Sequence, residues 1–232
     1  MVVLIEIRGI GVSGKKASGI AYKMEKKQIV YHDARKIDKG REKSRFLEIL
    51  DLAKAEIEQL LEKANKVDQS AAEIFESHEL LLSDVEVIHY IDQLLDYGYN
   101  LESALIRTKE DMKSHFLNMQ SEIFRSKIAD IDDVFDRLIR LESGSSDEQG
   151  VPNQPFILVC DDILPSLIYR LPEEHLKGII TKFGSNCSHG AIMARSRNIP
   201  VIIRIKNRYE MIKNQDPIIM NGESGAIFIL DK

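Results

Sequence analysis

The sequence contains no run of about eighteen apolar residues, the length a membrane-crossing helix needs. Its N-terminus also lacks a basic stretch followed by an apolar segment and a small-residue cleavage site. A cytoplasmic location is therefore expected. Cysteine is scarce: Cys160 and Cys187 are the only two, which excludes a disulfide framework, and no Cys-x-x-Cys pair suggests zinc. Two free thiols fit a reducing compartment. An excess of basic residues is missing too, with 32 Lys and Arg against 37 Asp and Glu, a net charge of −5. That balance argues against nucleic acid and suits a basic partner. What is present in quantity is apolar: 44% of the 232 residues are hydrophobic, enough for one large buried core or two small ones.

Along the chain the hydrophobic period changes twice. Val2 to Ile7, Gly19 to Lys23 and Gln28 to Tyr31 read as extended runs. Gly9-x-Gly11-x-x-Gly14 matches a dinucleotide fingerprint, but no convincing helix follows it, and the nucleotide reading is set aside. From about Arg35 to Leu141 the period becomes helical. One stripe holds Phe46, Ile49, Leu50, Ala53, Ile57, Leu60, Leu61 and Ala64. Another holds Leu101, Ala104, Leu105, Thr108, Met112, His115, Phe116, Met119 and Ile123, with Met112, Phe116 and Met119 expected in the core and His115 in a structural role beside them. Shorter stripes lie between, and the expected product is a helical bundle.

Glu142 to Gln154 is rich in Ser, Gly and acidic residues and reads as a linker. Beyond it, strands are expected at Phe156 to Cys160, Leu176 to Thr181, Val201 to Ile205, Pro217 to Met220 and Ala226 to Leu230. Short helices are expected at Ser166 to Arg170, after His189, and near Tyr209 to Lys213. The N-terminal strands are too few to fold alone, so they are expected to join this C-terminal sheet with the bundle inserted between. The organisation predicted is residues 1–34 plus 150–232 as an α/β domain and residues 35–145 as an inserted all-α subdomain.

The chemistry gathers at Lys182 to Pro200. Gly184, Ser185 and Asn186 read as loop, Ser188 as an N-cap, and Gly190 to Ser196 as the first turns of a helix. His189 then lies at a helix N-terminus, where free amides and the dipole favour an anion such as phosphate. The amides of Gly190 and Ala191 are the nearest donors. A neutral imidazole is a competent nucleophile near neutral pH and a good leaving group once protonated. A metal shared by Cys187 and His189 is weighed and set aside because no further ligands stand nearby.

Ser188-His189-x-x-Ile192-Met193-Ala194-Arg195-Ser196, followed by Pro200, resembles the phosphohistidine loop of enzyme I of the bacterial sugar phosphotransferase system. Similar loops occur in the swivelling domains of pyruvate phosphate dikinase and phosphoenolpyruvate synthase. Ile74-Phe75-Glu76-Ser77-His78-Glu79-Leu80-Leu81-Leu82 is similar to the enzyme I segment within the helices that dock the phosphocarrier protein HPr, and Ala129 to Leu138, Ser18 to Ala21 and Asp216 to Ile229 match in the family's order. The resemblance implies an α/β phosphohistidine (swivelling) domain with an inserted all-α helical bundle. It implies that His189 is phosphorylated and passes the group to HPr, with Ser188, Gly190, Ala191, Asn186, Cys187 and Arg195 as candidates for stabilising the phosphate. The same resemblance places HPr docking on Glu73, Phe75, Glu76, His78, Leu81, Leu82, Asp84, Asp132 and Asp133, an apolar centre with a negative rim. Phosphoenolpyruvate and magnesium belong, in the family, to a C-terminal barrel. The sequence ends at Lys232, so no cofactor is expected in this chain and the barrel is expected as a partner only in a longer protein.

Several positions depart from the family's pattern. Its loop typically reads Gly-Gly-Arg-Thr-Ser-His, whereas Asn186 and Cys187 stand here in place of the arginine and threonine. Asp132 stands where enzyme I usually has an arginine, and Ser18 runs directly into Gly19 without the usual proline. These changes keep two alternatives open: a divergent, non-catalytic HPr-binding module, and a swivelling domain of a dikinase or of a dihydroxyacetone-kinase phosphocarrier subunit.

Overall fold

A computed structural model describes residues 3–24, 38–117, 122–144 and 150–231, apart from the side chains of 3, 4, 117 and 122–126. The expected strand at Gln28 to Tyr31 and the expected core position Met119 lie outside the described residues. The chain divides into two compact units, one of Met1–Lys27 with Glu148–Lys232 and the other of Gln28–Asp147.

The first unit is built on one mixed sheet. Its strands are β1 (Val3–Arg8), β2 (Ile10–Gly11), β3 (Lys16–Lys23), β4 (Phe156–Cys160), β5 (Leu176–Thr181), β6 (Val201–Ile203), β7 (Pro217–Asn221) and β8 (Ala226–Leu230), in the order β1-β8-β7-β3-β4-β5-β6-β2. The segment before the helical unit thus supplies β1, β2 and β3 to a sheet completed by the segment after it. β3 pairs parallel with β4 and antiparallel with β7, so it joins the antiparallel half to the parallel β4-β5-β6 half. All five residues of β4 are buried, as a continuous Phe-Ile-Leu-Val-Cys run covered on both faces must be. One face packs Ile157, Val159, Ile180, Ile202 and Met220 together with Ile205, Tyr209 and Ile212.

Gly9 and Gly11 of the dinucleotide-like motif serve this sheet instead. A Cβ on Gly11 would stand 2.3 Å from the Gly222 carbonyl, and Lys16–Lys23 is a strand rather than a helix. β6 ends at Ile203, earlier than expected, because Arg204 turns into the left-handed region at φ 60. The short helix expected at Ser166 to Arg170 is α6 (Pro165–Arg170), and the helix expected near Tyr209 is a 3₁₀ segment spanning Lys206–Met211.

The second unit holds α1 (Lys39–Asn65), α2 (Gln69–Leu82), α3 (Val85–Tyr97), α4 (Leu101–Leu117) and α5 (Glu122–Glu142). Short acidic or amide side chains start four of them: Asp38 accepts from the Arg41 amide, Asp68 from Ser70 and Ala71, Asp84 from Glu86 and Val87, and Asn100 from Ser103. α3 stops at Gly98, whose φ of 98 closes a left-handed cap. The α1 stripe from Phe46 to Ala64 is buried as its spacing predicts, except that Leu61 is only half-buried. His115 corrects the expectation: it is exposed, while Met112 and Phe116 are half-buried, because the stripe leaves the packed side of α4 in its last turns.

Candidate functional site

The site grows out of the carboxyl end of β5. Lys182 donates its amide to the Cys160 carbonyl at 3.0 Å and Phe183 to Asp161 at 2.9 Å, which prolongs the β4–β5 pairing past the last strand residue. Gly184 then reverses the chain at φ 104, a conformation a side chain resists. A tight turn follows, in which the Ser188 amide and hydroxyl both donate to the Ser185 carbonyl, at 3.2 and 2.9 Å. The same Ser188 hydroxyl accepts from the Ala191 amide at 3.3 Å and caps α7 (His189–Ser196). His189 is therefore the first residue of the helix, half-buried, with Nδ1 shielded from solvent. Gly190 packs the helix onto its support: a Cβ there would stand 2.3 Å from the Ile163 carbonyl.

The other loop candidates fall into two groups. Asn186 and Cys187 are exposed beside each other, the thiol donating to the amide oxygen of Asn186 at 3.2 Å. Ser188 and Ala191 are tied up in the cap. Arg195 is a correction, since it lies in the last turn of α7, six residues and about 9 Å of helical rise from His189. There it complements the negative end of the helix dipole rather than a group on the first residue. One residue was missed by sequence reasoning. Arg204, exposed, donates Nε to the Gly184 carbonyl at 2.8 Å and its amide to Phe183 at 3.2 Å. No local pattern could signal this, because the partners are some twenty residues apart.

In the helical unit the docking candidates also separate. Phe75, His78 and Leu82 are buried, so they form the inside of α2 and not a docking centre. Phe75 meets the His78 ring edge-on at 5.8 Å, and His78 faces Asp130 of α5 at 3.5 Å. Asp133 is buried as well, 3.7 Å from Arg137, and cannot form a rim. Glu73 and Glu76 are exposed as expected, Leu81 is half-buried, and Asp84 is exposed while capping α3. The apolar side chains that reach solvent here are Leu80 and Val85, 73% and 78% exposed. Asp132 sits 2.8 Å from Lys109 and 2.9 Å from Lys113, so its charge is matched within the unit. Burial pushes the Asp132 carboxyl up, but the Lys109 ammonium overrides this and holds it below its ordinary value of 3.8. No helix among the described residues is long and apolar enough to cross a membrane.

Comparison with known proteins agrees with this layout. Residues 8–127 match the family described as PEP-utilising enzyme, N-terminal, and residues 152–225 match PEP-utilising enzyme, mobile domain. Phosphoenolpyruvate-protein phosphotransferase of Bacillus subtilis (strain 168) is 33% identical over 97% of this chain, and the Priestia megaterium protein of the same name is 31% identical over the same share. The chain spans about 40% of the length of each. A solution structure of Enzyme I (nEIt) superposes with a TM-score of 0.74 at 27% identity, covering 97% of this chain and 93% of that one. The N-terminal domain of Enzyme 1 - Nitrogen shares the fold, with a TM-score of 0.68 at 21% identity over 96% of this chain and 93% of that one. With both models matched in order along one chain, and the first over half its length, the chain belongs to the PEP-utilising enzyme family and is laid out as the N-terminal region of its enzyme I members.

Proposed function

We propose that this chain is a phosphoryl carrier, phosphorylated on His189, that passes the group to a histidine of the phosphocarrier protein HPr. The observation that carries the reading is the placement of His189 as the first residue of a capped α7, with Nδ1 turned inward. Reaction then runs through Nε2. Its lone pair forms the N–P bond as the bond from phosphorus to the donor's leaving atom breaks, the electron pair departing with that atom. In the onward step an imidazole nitrogen of the acceptor forms a new N–P bond, and the electrons of the old bond return to Nε2. Because a nitrogen–phosphorus bond is exchanged for another, the step asks mainly for in-line positioning and for charge stabilisation on the phosphoryl oxygens. The original donor in this reading is phosphoenolpyruvate, held with magnesium by a separate domain.

A second reading is favoured by one specific feature: no lysine or arginine occurs from Gly184 to Ala194. On that ground the chain is instead a module that binds the carrier without accepting phosphate. Intact-mass measurement after mixing with phosphorylated HPr separates the two. The carrier reading expects one acid-labile phosphate on the wild type and none on His189→Ala, which keeps its thermal midpoint. Label persisting in His189→Ala removes His189 from the mechanism, and carrier binding without label selects the module.

A further inference from the structure

The loop that presents His189 has no cation of its own, yet an anionic phosphoryl group at the first residue of α7 calls for one. Lys182, the cation just before the loop, is engaged by Glu210 at 3.4 Å. Arg195 stands at the far end of the helix. Among the described residues, a side chain that brings positive charge onto the loop comes from the segment that follows β6. Arg204 follows β6 and hydrogen-bonds the loop twice, through its amide to Phe183 and through Nε to Gly184. The Nε contact spends a single donor, so both terminal amino groups of the exposed guanidinium keep no other protein partner among the described residues.

The backbone of Arg204 strengthens the point. Its φ of 60 is left-handed, a conformation glycine adopts freely and arginine resists. Lys206, two residues on, repeats it at φ 53 while its amide donates to Lys182. The segment thus runs beside the start of the loop in a strained form that glycine would relieve. Holding a bulky cation at such a position is the pattern of strain retained beside a site. Asp162 makes the requirement sharper, since its carboxylate stands 2.9 Å from where a Cβ of Gly184 would be and adds negative charge to the same turn.

We propose that Arg204 is the positioning residue of the phosphohistidine loop: it clamps the loop at Gly184 and turns its free guanidinium nitrogens toward the phosphoryl group carried by His189. This rests on the phosphoryl-carrier reading. The test compares wild type, Arg204→Gly and Arg204→Lys, each as the full chain equilibrated with phosphorylated HPr at low and at high salt, with the phosphorylated fraction read by intact mass.

Arg204→Gly is expected to shift the equilibrium constant for phosphorylation about tenfold toward the unlabelled chain at low salt, the scale of one charge acting on an anion in a mostly aqueous setting. The shift should shrink at high salt, where exposed charges are screened. Arg204→Lys should recover part of the loss, keeping charge without the fork. The thermal midpoint of Arg204→Gly should equal or exceed that of wild type, since its backbone is relieved. A phosphorylated fraction in Arg204→Gly within twofold of wild type overturns the assignment, as does a loss that ignores salt or travels with a lower midpoint. Absence of label on wild type overturns this proposal and the carrier reading together, whereas equal label on wild type and variant overturns Arg204 alone.

Discussion

Replacing Gly190 by alanine tests whether the position of His189 is set by how closely α7 lies on its support. The added methyl would meet the Ile163 carbonyl oxygen at 2.3 Å, Cγ2 of Ile163 at 2.7 Å and its Cβ at 2.8 Å. Real Cβ contacts keep at least 3.0 Å, so the first turn of the helix must move by about 0.7 Å against a backbone atom that cannot swing away. Overpacking of this kind costs about 1–3 kcal/mol, and the helix propensity of alanine over glycine returns at most about 1 kcal/mol. The net loss is about 1 kcal/mol, or a fall of roughly 4 °C in the midpoint of a unit this size. Because a displacement near 1 Å at a reacting group can slow a reaction about a hundredfold, transfer to His189 should drop at least tenfold. Scanning calorimetry and a timed phosphotransfer assay read the two effects. Gly40→Ala is the control: its new methyl meets only Asp38 Oδ1, at 3.4 Å, and should leave transfer in place without lowering the midpoint. Wild-type stability and wild-type transfer in Gly190→Ala would refute the reasoning.

Two further perturbations address the helical unit. The Asp132 carboxyl is held below 3.8, so it stabilises the folded chain at every pH above 3.8 and ceases to do so as the pH falls through its folded value. Burial pulls the Lys109 ammonium down, but Asp136 and Asp132 raise it above 10.5, so its contribution is full below that pH and fades above it. Asp132→Asn should therefore lower stability by about 1 kcal/mol between pH 5 and 9, with the difference closing below pH 3.8 in urea titrations run across pH. A constant difference down to pH 2 would rule out the charge as the cause. Leu80, 73% exposed on α2 between the acidic Glu76 and Asp84, should accept aspartate with a stability change within about 0.5 kcal/mol. Titration calorimetry with HPr should nonetheless show weaker binding, and unchanged affinity would place docking elsewhere.

The two kinds of reading from sequence fared differently for physical reasons. The start of α7 was legible because Ser188 acts on an amide three residues away, within the same turn, and Asp38, Asp68 and Asp84 cap α1, α2 and α3 in the same local way. β4, β5 and β8 were legible to the residue because their apolar runs are short and bounded by turn residues. His115 and the Phe75, His78, Leu82 group show the limit. A helical stripe tells which residues share a face, but the same face can be core along one stretch and solvent in the next, and an apolar side taken for a docking surface can be the packed side instead.

By itself, then, the sequence determined the order of the elements, the α/β and helical halves, and the placing of His189 at the start of a capped helix. Each of these depends on hydrogen bonds and periodicity within a few residues. The tertiary structure alone decided that β3 joins the antiparallel and parallel halves of the sheet, that Gly190 is demanded by Ile163. It alone decided too that Arg204 reaches Gly184 and that Asp132 is neutralised by Lys109. In each case the partners are separated by some twenty residues or more, and no local pattern encodes which distant backbone or charge a side chain will meet once the layers close.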